Sequence, residues 1–526
     1  MNKRYVFYPV IGALLVVGGM YVGIRLGTNR TINQAQSFFS SRAAAGNKLN
    51  NVINYIQAEY VDTVNADQLS NQAINNLLAE LDPHSVYIPA EEFEHTNEQL
   101  DGGFDGIGVE FNILNDTLMV VSPLNGGPSA TAGVMPGDKI INVNGKCIAG
   151  IGIKSDDVFK YLKGKKGTLV KLDIQRASFR KLLPFNITRD KIPLKSVDVS
   201  FIISPTVGFI KISKFSATTH TEFTKAFIAL KAQGLQSLIL DLRGNPGGFL
   251  NEAVDLCDDF LEDKKLIVYT QGKARPKQQY FATNKGVFEK GKLVVLIDEG
   301  SASAAEIVAG AIQDNDRGSV IGRRSFGKGL VQEQNQLADG SGIRLTIARY
   351  YTPSGRCIQK PYTKGKLKDY YEEEVNRYKN GELLNKDSVK FNTKETFKTL
   401  KGRTVYGGGG VMPDEFVGID TSTIQKEMVE ILIKTEPNKY CLTYANAHRK
   451  QLTALKQEPT LNLAAEFLQQ NNVNVKHNQV TQLINDYLLA TTLRYSGNEI
   501  LFYKLFYKKD KIAKTGINTI VKGNLQ

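Results

Sequence analysis

Two short segments carry residue types that together could perform nucleophilic catalysis. Gly300-Ser301-Ala302-Ser303-Ala304-Ala305-Glu306 follows an apolar run and sets Ser303 among small residues where a helical pattern begins. Phe326-Gly327-Lys328-Gly329-Leu330-Val331-Gln332 places a glycine-flanked lysine downstream. A serine hydroxyl needs a proton acceptor before it can attack a carbonyl. The five histidines (His84, His95, His220, His448 and His477) are scattered, and none falls between residues 291 and 350. Lys328 is therefore the expected base, and the pair reads as the dyad of a serine peptidase.

That reading competes with a plainer one. Ser303-Ala304-Ala305-Glu306 also fits a capping box, in which the serine merely starts a helix. Small neighbours tip the balance, because they let a substrate backbone approach the hydroxyl. The helix N-terminus adds free N–H groups, Ala304 among them, where an oxyanion would develop. The lysine faces an energetic test. At its ordinary pKa of about 10.4 it is protonated in neutral water, and lowering it by about three units costs roughly 4 kcal/mol. Phe326 and Leu330 supply apolar surroundings, and the glycines permit close packing. On a strand, Lys328, Leu330 and Gln332 would share a face. Gln332 could then accept a hydrogen bond from the amine without holding it charged. Arg243-Gly244-Asn245-Pro246-Gly247-Gly248 is either a tight strand-to-helix turn or the source of a second oxyanion donor, Gly247 or Gly248.

The elements that must position these residues are alternating strands and helices over residues 194–356, an α/β layer. Apolar runs at residues 207–212, 237–242 and 293–297 read as strands, and residues 221–233 as a helix. Residues 102–190 instead show short strands and tight turns, with Pro136-Gly137-Asp138 and Asn144-Gly145 in order. This run resembles a PDZ domain. Gly106-Ile107-Gly108-Val109 stands where such domains receive a peptide carboxylate, and the next strand offers an edge for β-addition. Upstream, Leu49, Ile53, Ile56 and Tyr60, then Ile74, Leu77, Leu78 and Leu81, recur at helical spacing. That stretch ends in Asp82-Pro83-His84-Ser85, where His84 reads as a surface turn residue. Residues 361–403 are polar and read as a surface insertion. Beyond residue 418 the pattern is mostly helical and carries no functional signal.

Composition sets the frame. A chain of 526 residues with 42% hydrophobic and 23% charged residues folds as several domains. The net charge of +13 is spread along the chain, which points to a solvated basic surface and no nucleic-acid partner. Cys147, Cys257, Cys357 and Cys441 lie far apart and form no zinc-binding pair, so no metal or organic cofactor is expected. Lys3 and Arg4 precede an uncharged run over residues 5–24, closed by Arg25. Twenty helical residues span about 30 Å, a bilayer's hydrocarbon core. With no A-x-A-like site before Arg25, the expectation is an uncleaved anchor in the cytoplasmic membrane, with the rest of the chain exported.

Taken in order, the pieces resemble the C-terminal processing (tail-specific) peptidases. They are Asp82-Pro83-His84-Ser85-Val86-Tyr87, the PDZ-like run, the segments around Gly247, Ser303 and Lys328, Tyr350-Tyr351-Thr352-Pro353-Ser354-Gly355-Arg356, and Val411-Met412-Pro413-Asp414. The resemblance implies Ser303 as nucleophile, Lys328 as general base and Gln332 as its orienting residue. It also implies an α/β protease core (ClpP/crotonase-like) with an inserted PDZ domain that captures substrate C-termini. The expected layout is an anchor at 1–26, N-terminal helices at 40–100, PDZ at 101–190, peptidase core at 191–418 and a helical C-terminal region at 419–526. Ala305 and Cys357 stand where the family often has serine. The expected partners are proteins or peptides with free C-termini and the membrane itself, with a homo-oligomer left open. The rivals are a non-catalytic PDZ scaffold of the same fold and an esterase or amidase for small molecules.

Overall fold

The computed structural model describes residues 43–124, 126–176, 179–390 and 395–523. The expected anchor lies outside the described residues. Among those described, no helix is long and apolar enough to cross a membrane. The chain divides into two units, Met1–Leu78 and Ala79–Gln526. The first carries the helix Ala43–Glu59 and nearly all of the helix Ala66–Ala79, where the sequence shows helical spacing.

The second unit is built around a six-stranded sheet. Its strands, in spatial order, are Val197–Ser204, Val207–Ile212, Ser237–Asp241, Lys292–Ile297, Ser319–Gly322 and Glu415–Phe416. The first pair is antiparallel and every later neighbour parallel. Successive side chains on a strand face opposite ways, so a strand buried on both sides must be apolar throughout. Leu238, Leu240, Leu293, Val295 and Ile297 pack under helices Thr219–Ala232, Leu250–Asp258 and Ala304–Asp314. Ile239, Val294, Leu296 and Ile321 face the other way, against Tyr507, Ile512, Ala513 and Ile520 of the C-terminal helices. Those helices run from Thr423 to Lys522 and hold a further core of their own, so the C-terminal region is a layer of the peptidase fold.

A second sheet forms around the long strand Gly342–Tyr351. Leu330–Gln336 lies along one edge, while Val86–Ile88 and Leu266–Gln271 share the other, all antiparallel. The PDZ unit has strands Val109–Leu114, Thr117–Pro123, Lys139–Val143, Leu169–Gln175 and Leu183–Thr188 with helix Ser155–Leu162. Asn144 and Gly145 both take positive φ, as a two-residue hairpin turn requires. Gly103–Gly106 pairs with Asp190–Pro193 and joins the two ends of the unit. The reading of residues 361–403 as surface needs correction. The helix Leu367–Lys379 inside it buries Tyr370 and Arg377. All four cysteines are free.

Candidate active site

Ser303 sits between the strand Lys292–Ile297 and the helix Ala304–Asp314, with φ 55° and ψ −113°. A non-glycine residue held there costs about 1–3 kcal/mol and persists only if its surroundings over-determine it. They do. Its N–H donates to Glu306 Oε2 at 2.8 Å. Its carbonyl accepts the N–H groups of Glu306 and Ile307 and the Tyr350 hydroxyl, at 2.9, 3.0 and 3.1 Å. The capping-box spacing is borne out, with Glu306 reaching back to the backbone N–H of Ser303.

Glu306 is fully buried and does more than cap. Its Oε2 also accepts the Lys328 N–H at 2.8 Å. Its Oε1 takes the Ser325 hydroxyl at 2.5 Å and the Gly327 N–H at 2.7 Å. Burial holds this carboxyl above its ordinary value, against the pull of its four donors. The Tyr350 hydroxyl lies between the carbonyl oxygens of Lys328 (2.5 Å) and Ser303 (3.1 Å) and donates toward both. One carboxylate and one phenol thereby lash the serine turn to the lysine loop.

The Lys328 amine has no ion pair or hydrogen bond among the described residues. Burial pushes it down from 10.5 to about 8. The Arg344 guanidinium acts in the same direction, while Glu306 and Asp82 oppose it. Gln332 departs from the simple expectation. The strand begins only at Leu330, and its register slips between Val331 and Gln332. Strict alternation from Lys328 is therefore lost. The Gln332 amide N–H donates to the carbonyl of His84, and it makes no hydrogen bond to Lys328.

His84 is likewise no surface turn residue. Asp82 Oδ1 gathers the N–H groups of His84 and Ser85 at 2.9 and 3.0 Å and the Thr346 hydroxyl at 3.0 Å. Its Oδ2 takes the Ser85 hydroxyl at 2.6 Å. With Val86–Ile88 paired to the central strand, the turn is fixed against the lysine's sheet. Burial, then the charge of Lys328, lowers His84 from 6.5 to about 4. Local sequence holds no trace of this, because the neighbours lie far along the chain. The capping-box spacing was the signal for Glu306.

The Arg243–Gly248 turn meets the serine directly. A Cβ on Gly247 (φ +96°) would lie 2.7 Å from that of Ser303, and one on Gly248 would lie 1.9 Å from the Phe215 carbonyl oxygen. The Gly247 N–H is committed to Asn245 Oδ1 at 2.8 Å. The N–H groups of Gly248 and Ala304 have no acceptor among the described residues. Arg243, at the head of the turn, donates to Asp241 and, at 2.9 Å, to both oxygens of Asp510 from the C-terminal helices.

In the PDZ unit, Val109–Leu114 is an edge strand of its sheet. Gly106 closes the stem ladder and Gly108 takes φ +70°. The Ile107 and Gly108 N–H groups have no acceptor among the described residues. Phe111 on the edge strand meets Phe159 of the helix edge-on at 5.9 Å, in the groove between them.

Family models match three stretches: peptidase family S41 over residues 206–370, a PDZ domain over 119–176, and the N-terminal domain of the activating protease CtpB over 13–92. The carboxy-terminal processing protease CtpB of Bacillus subtilis is 35% identical over 371 residues, 68% of this chain and 76% of the relative. CtpA of the same organism is 36% identical over 344 residues, 64% of this chain and 73% of that one. A solved photosystem II D1 C-terminal processing protease shares 27% identity across 59% of this chain and 89% of its own, with a TM-score of 0.34.

Proposed function

The chain belongs to the carboxy-terminal processing proteases of peptidase family S41, and from that premise we propose that Ser303 is the nucleophile, Lys328 the general base and Gln332 the residue that orients the base. The protein is a serine-type C-terminal processing peptidase carrying a PDZ domain. The observation that supports the dyad is the pair of bridges from Glu306 and Tyr350, which tie the backbone of Ser303 to that of Lys328, whose buried amine has no ion pair or hydrogen bond among the described residues.

In the proposed mechanism neutral Lys328 takes the Ser303 proton as Oγ attacks the peptide carbonyl. The developing oxyanion accepts from the Ala304 and Gly248 N–H groups. Lys328 then protonates the leaving amine, and water, activated by the same base, hydrolyses the acyl-enzyme. Gln332 has its donor end on the His84 carbonyl, which leaves its oxygen to accept from the amine. The substrate is an exported or membrane protein with a free C-terminus. Its carboxylate docks on the Ile107 and Gly108 N–H groups, and its last residues add to the edge strand Val109–Leu114. Residues 5–24 would anchor the enzyme in the cytoplasmic membrane, with the catalytic part outside the cytoplasm.

The test is turnover of an unstructured polypeptide with a defined C-terminus. Ser303→Ala should reduce it by more than about a thousandfold without loss of fold. Amidating the substrate's terminal carboxyl should raise KM. Undiminished cleavage by the Ser303→Ala protein would refute the nucleophile, and indifference to amidation would refute the PDZ role.

A further inference from the structure

The insertion at residues 361–403 has no part in the chemistry proposed above, yet its helix Leu367–Lys379 buries two polar side chains. Tyr370 and Arg377 are each 3% exposed. Arg377 reaches the lysine loop directly, and Tyr370 reaches its other end through Gln359. Arg377 donates to the carbonyl oxygens of Ser325 at 2.9 Å and Phe326 at 3.2 Å, just before Gly327-Lys328. Beyond the lysine, the Gly329 N–H donates to Gln359 Oε1 at 2.9 Å, and Gln359 Nε2 donates to the Tyr370 hydroxyl at 3.3 Å. The same hydroxyl is hydrogen-bonded to His84 Nε2, 2.9 Å away. The His84 carbonyl in turn holds the Gln332 amide. The chain of bonds closes a ring around the base: 325 and 326 before it, 329 and 332 after it.

Packing reinforces the ring. Phe326 meets Tyr370 edge-on at 6.0 Å, and the Lys360 ammonium lies over both rings at 4.1 and 4.2 Å. Glu373 of the same helix neutralises Lys360 at 2.9 Å and Arg377 at 2.7 Å, so the burial of these cations is compensated locally. A helix required only for stability has no need to place one buried polar group on the backbone before a single lysine and another on the side chain that holds the backbone after it.

We propose that the insertion helix is a clamp on the general base, with Arg377 and Tyr370 as positioning residues that fix the Ser325-to-Gly329 loop and keep solvent from the Lys328 amine. The proposal rests on Lys328 being the base. Loosening the loop would hydrate the amine, return it toward the ordinary lysine range and raise the pH at which it becomes a base. The charged groups facing it are Arg344 on the central strand, Glu306 on the serine helix and Asp82 on the turn; beside them on the turn is the titratable His84, itself lowered to about 4 by burial, the charge of Lys328 and that of Lys360. None of these is altered by the substitutions below.

The experiment uses the full chain with Tyr370→Phe, Arg377→Met and Arg377→Lys. It records kcat, KM, the acid limb of the kcat/KM–pH profile, and the titration of Lys328 by NMR of isotope-labelled lysine, the signal assigned with Lys328→Met. Tyr370→Phe and Arg377→Met should each lower kcat about five- to tenfold near pH 7 with KM unchanged. Each should also move both the acid limb and the lysine titration upward by about half a unit or more. Arg377→Lys, which keeps a donor toward the carbonyls, should recover most of the loss. An unmoved limb and an unmoved lysine titration would overturn the clamp even if the melting temperature fell, since a mere prop would do that. Full turnover by Lys328→Met would instead overturn the base assignment and the clamp's catalytic role with it.

Discussion

Replacing Lys328 with methionine should abolish turnover and, at the same time, stabilise the protein. The amine is held at about 8 where an unfolded chain would leave it at 10.5. At about 1.4 kcal/mol per pH unit, that gap makes the charged form cost the fold roughly 3 kcal/mol. Below pH 8 the lysine is protonated in both folded and unfolded states, and the fold bears the whole cost. Between pH 8 and 10.5 the unfolded chain binds a proton that the folded one does not, so wild-type stability rises with pH through that window. Above it both states are neutral and the cost is gone. Methionine fills similar space and never ionises. Its advantage should therefore be roughly 3 kcal/mol at pH 6.5 and about half that at pH 9.5. Urea unfolding followed by circular dichroism at the two pH values measures both. A gain absent at pH 6.5, or undiminished at pH 9.5, would refute the claim that the fold lowers the pKa of this amine at its own expense. With Lys328 as the proposed base, the wild-type kcat/KM should climb about tenfold per pH unit well below pH 8 and level off above it.

Other substitutions test the scaffold around the dyad. Glu306→Gln presents an amide to at least one of four donors and should destabilise the fold by about 2–4 kcal/mol while lowering kcat, read by urea unfolding and steady-state kinetics. Gly247→Ala forces a methyl to 2.7 Å from the Ser303 Cβ at a φ of +96° and should reduce kcat at least about a hundredfold, with the chain still folded by circular dichroism. Asp510→Ala removes the C-terminal partner of Arg243. Asp241 still holds the guanidinium, so the expected loss is about 1–3 kcal/mol of stability and a few-fold in kcat.

The strands of the peptidase core were legible because burial on both faces demands unbroken apolar runs, as at Leu238-Ile239-Leu240 and Leu293-Val294-Val295. The tight turns of the PDZ unit were legible because only a few residue types tolerate positive φ, as at Asn144-Gly145. Ser303 and Lys328 stood out by their small neighbours. What stayed hidden depends on distant partners. Nothing near His84 announces the lysine loop, since strand pairing of Val86–Ile88 with Gly342–Tyr351 brings them together. The slip at Val331 and Gln332 is a local defect in pairing, invisible to a period-2 count. Tyr370 and Arg377 lie in a stretch whose overall polarity suggested solvent, because a few buried polar groups cannot be told from many exposed ones by composition. The C-terminal helices showed their spacing but not what they rest on.

That resting place has a practical outcome for anyone trimming the protein. Phe201, Phe209, Ile239, Val294, Leu296 and Ile321 form one face of the main sheet, and the segment from Tyr507 to Ile520 is its cover. A fragment stopped before the C-terminal helices, at about residue 418, would present a bare oily β-surface to water and should precipitate or scavenge other chains. The smallest soluble catalytic piece should therefore keep the helices through Ile520.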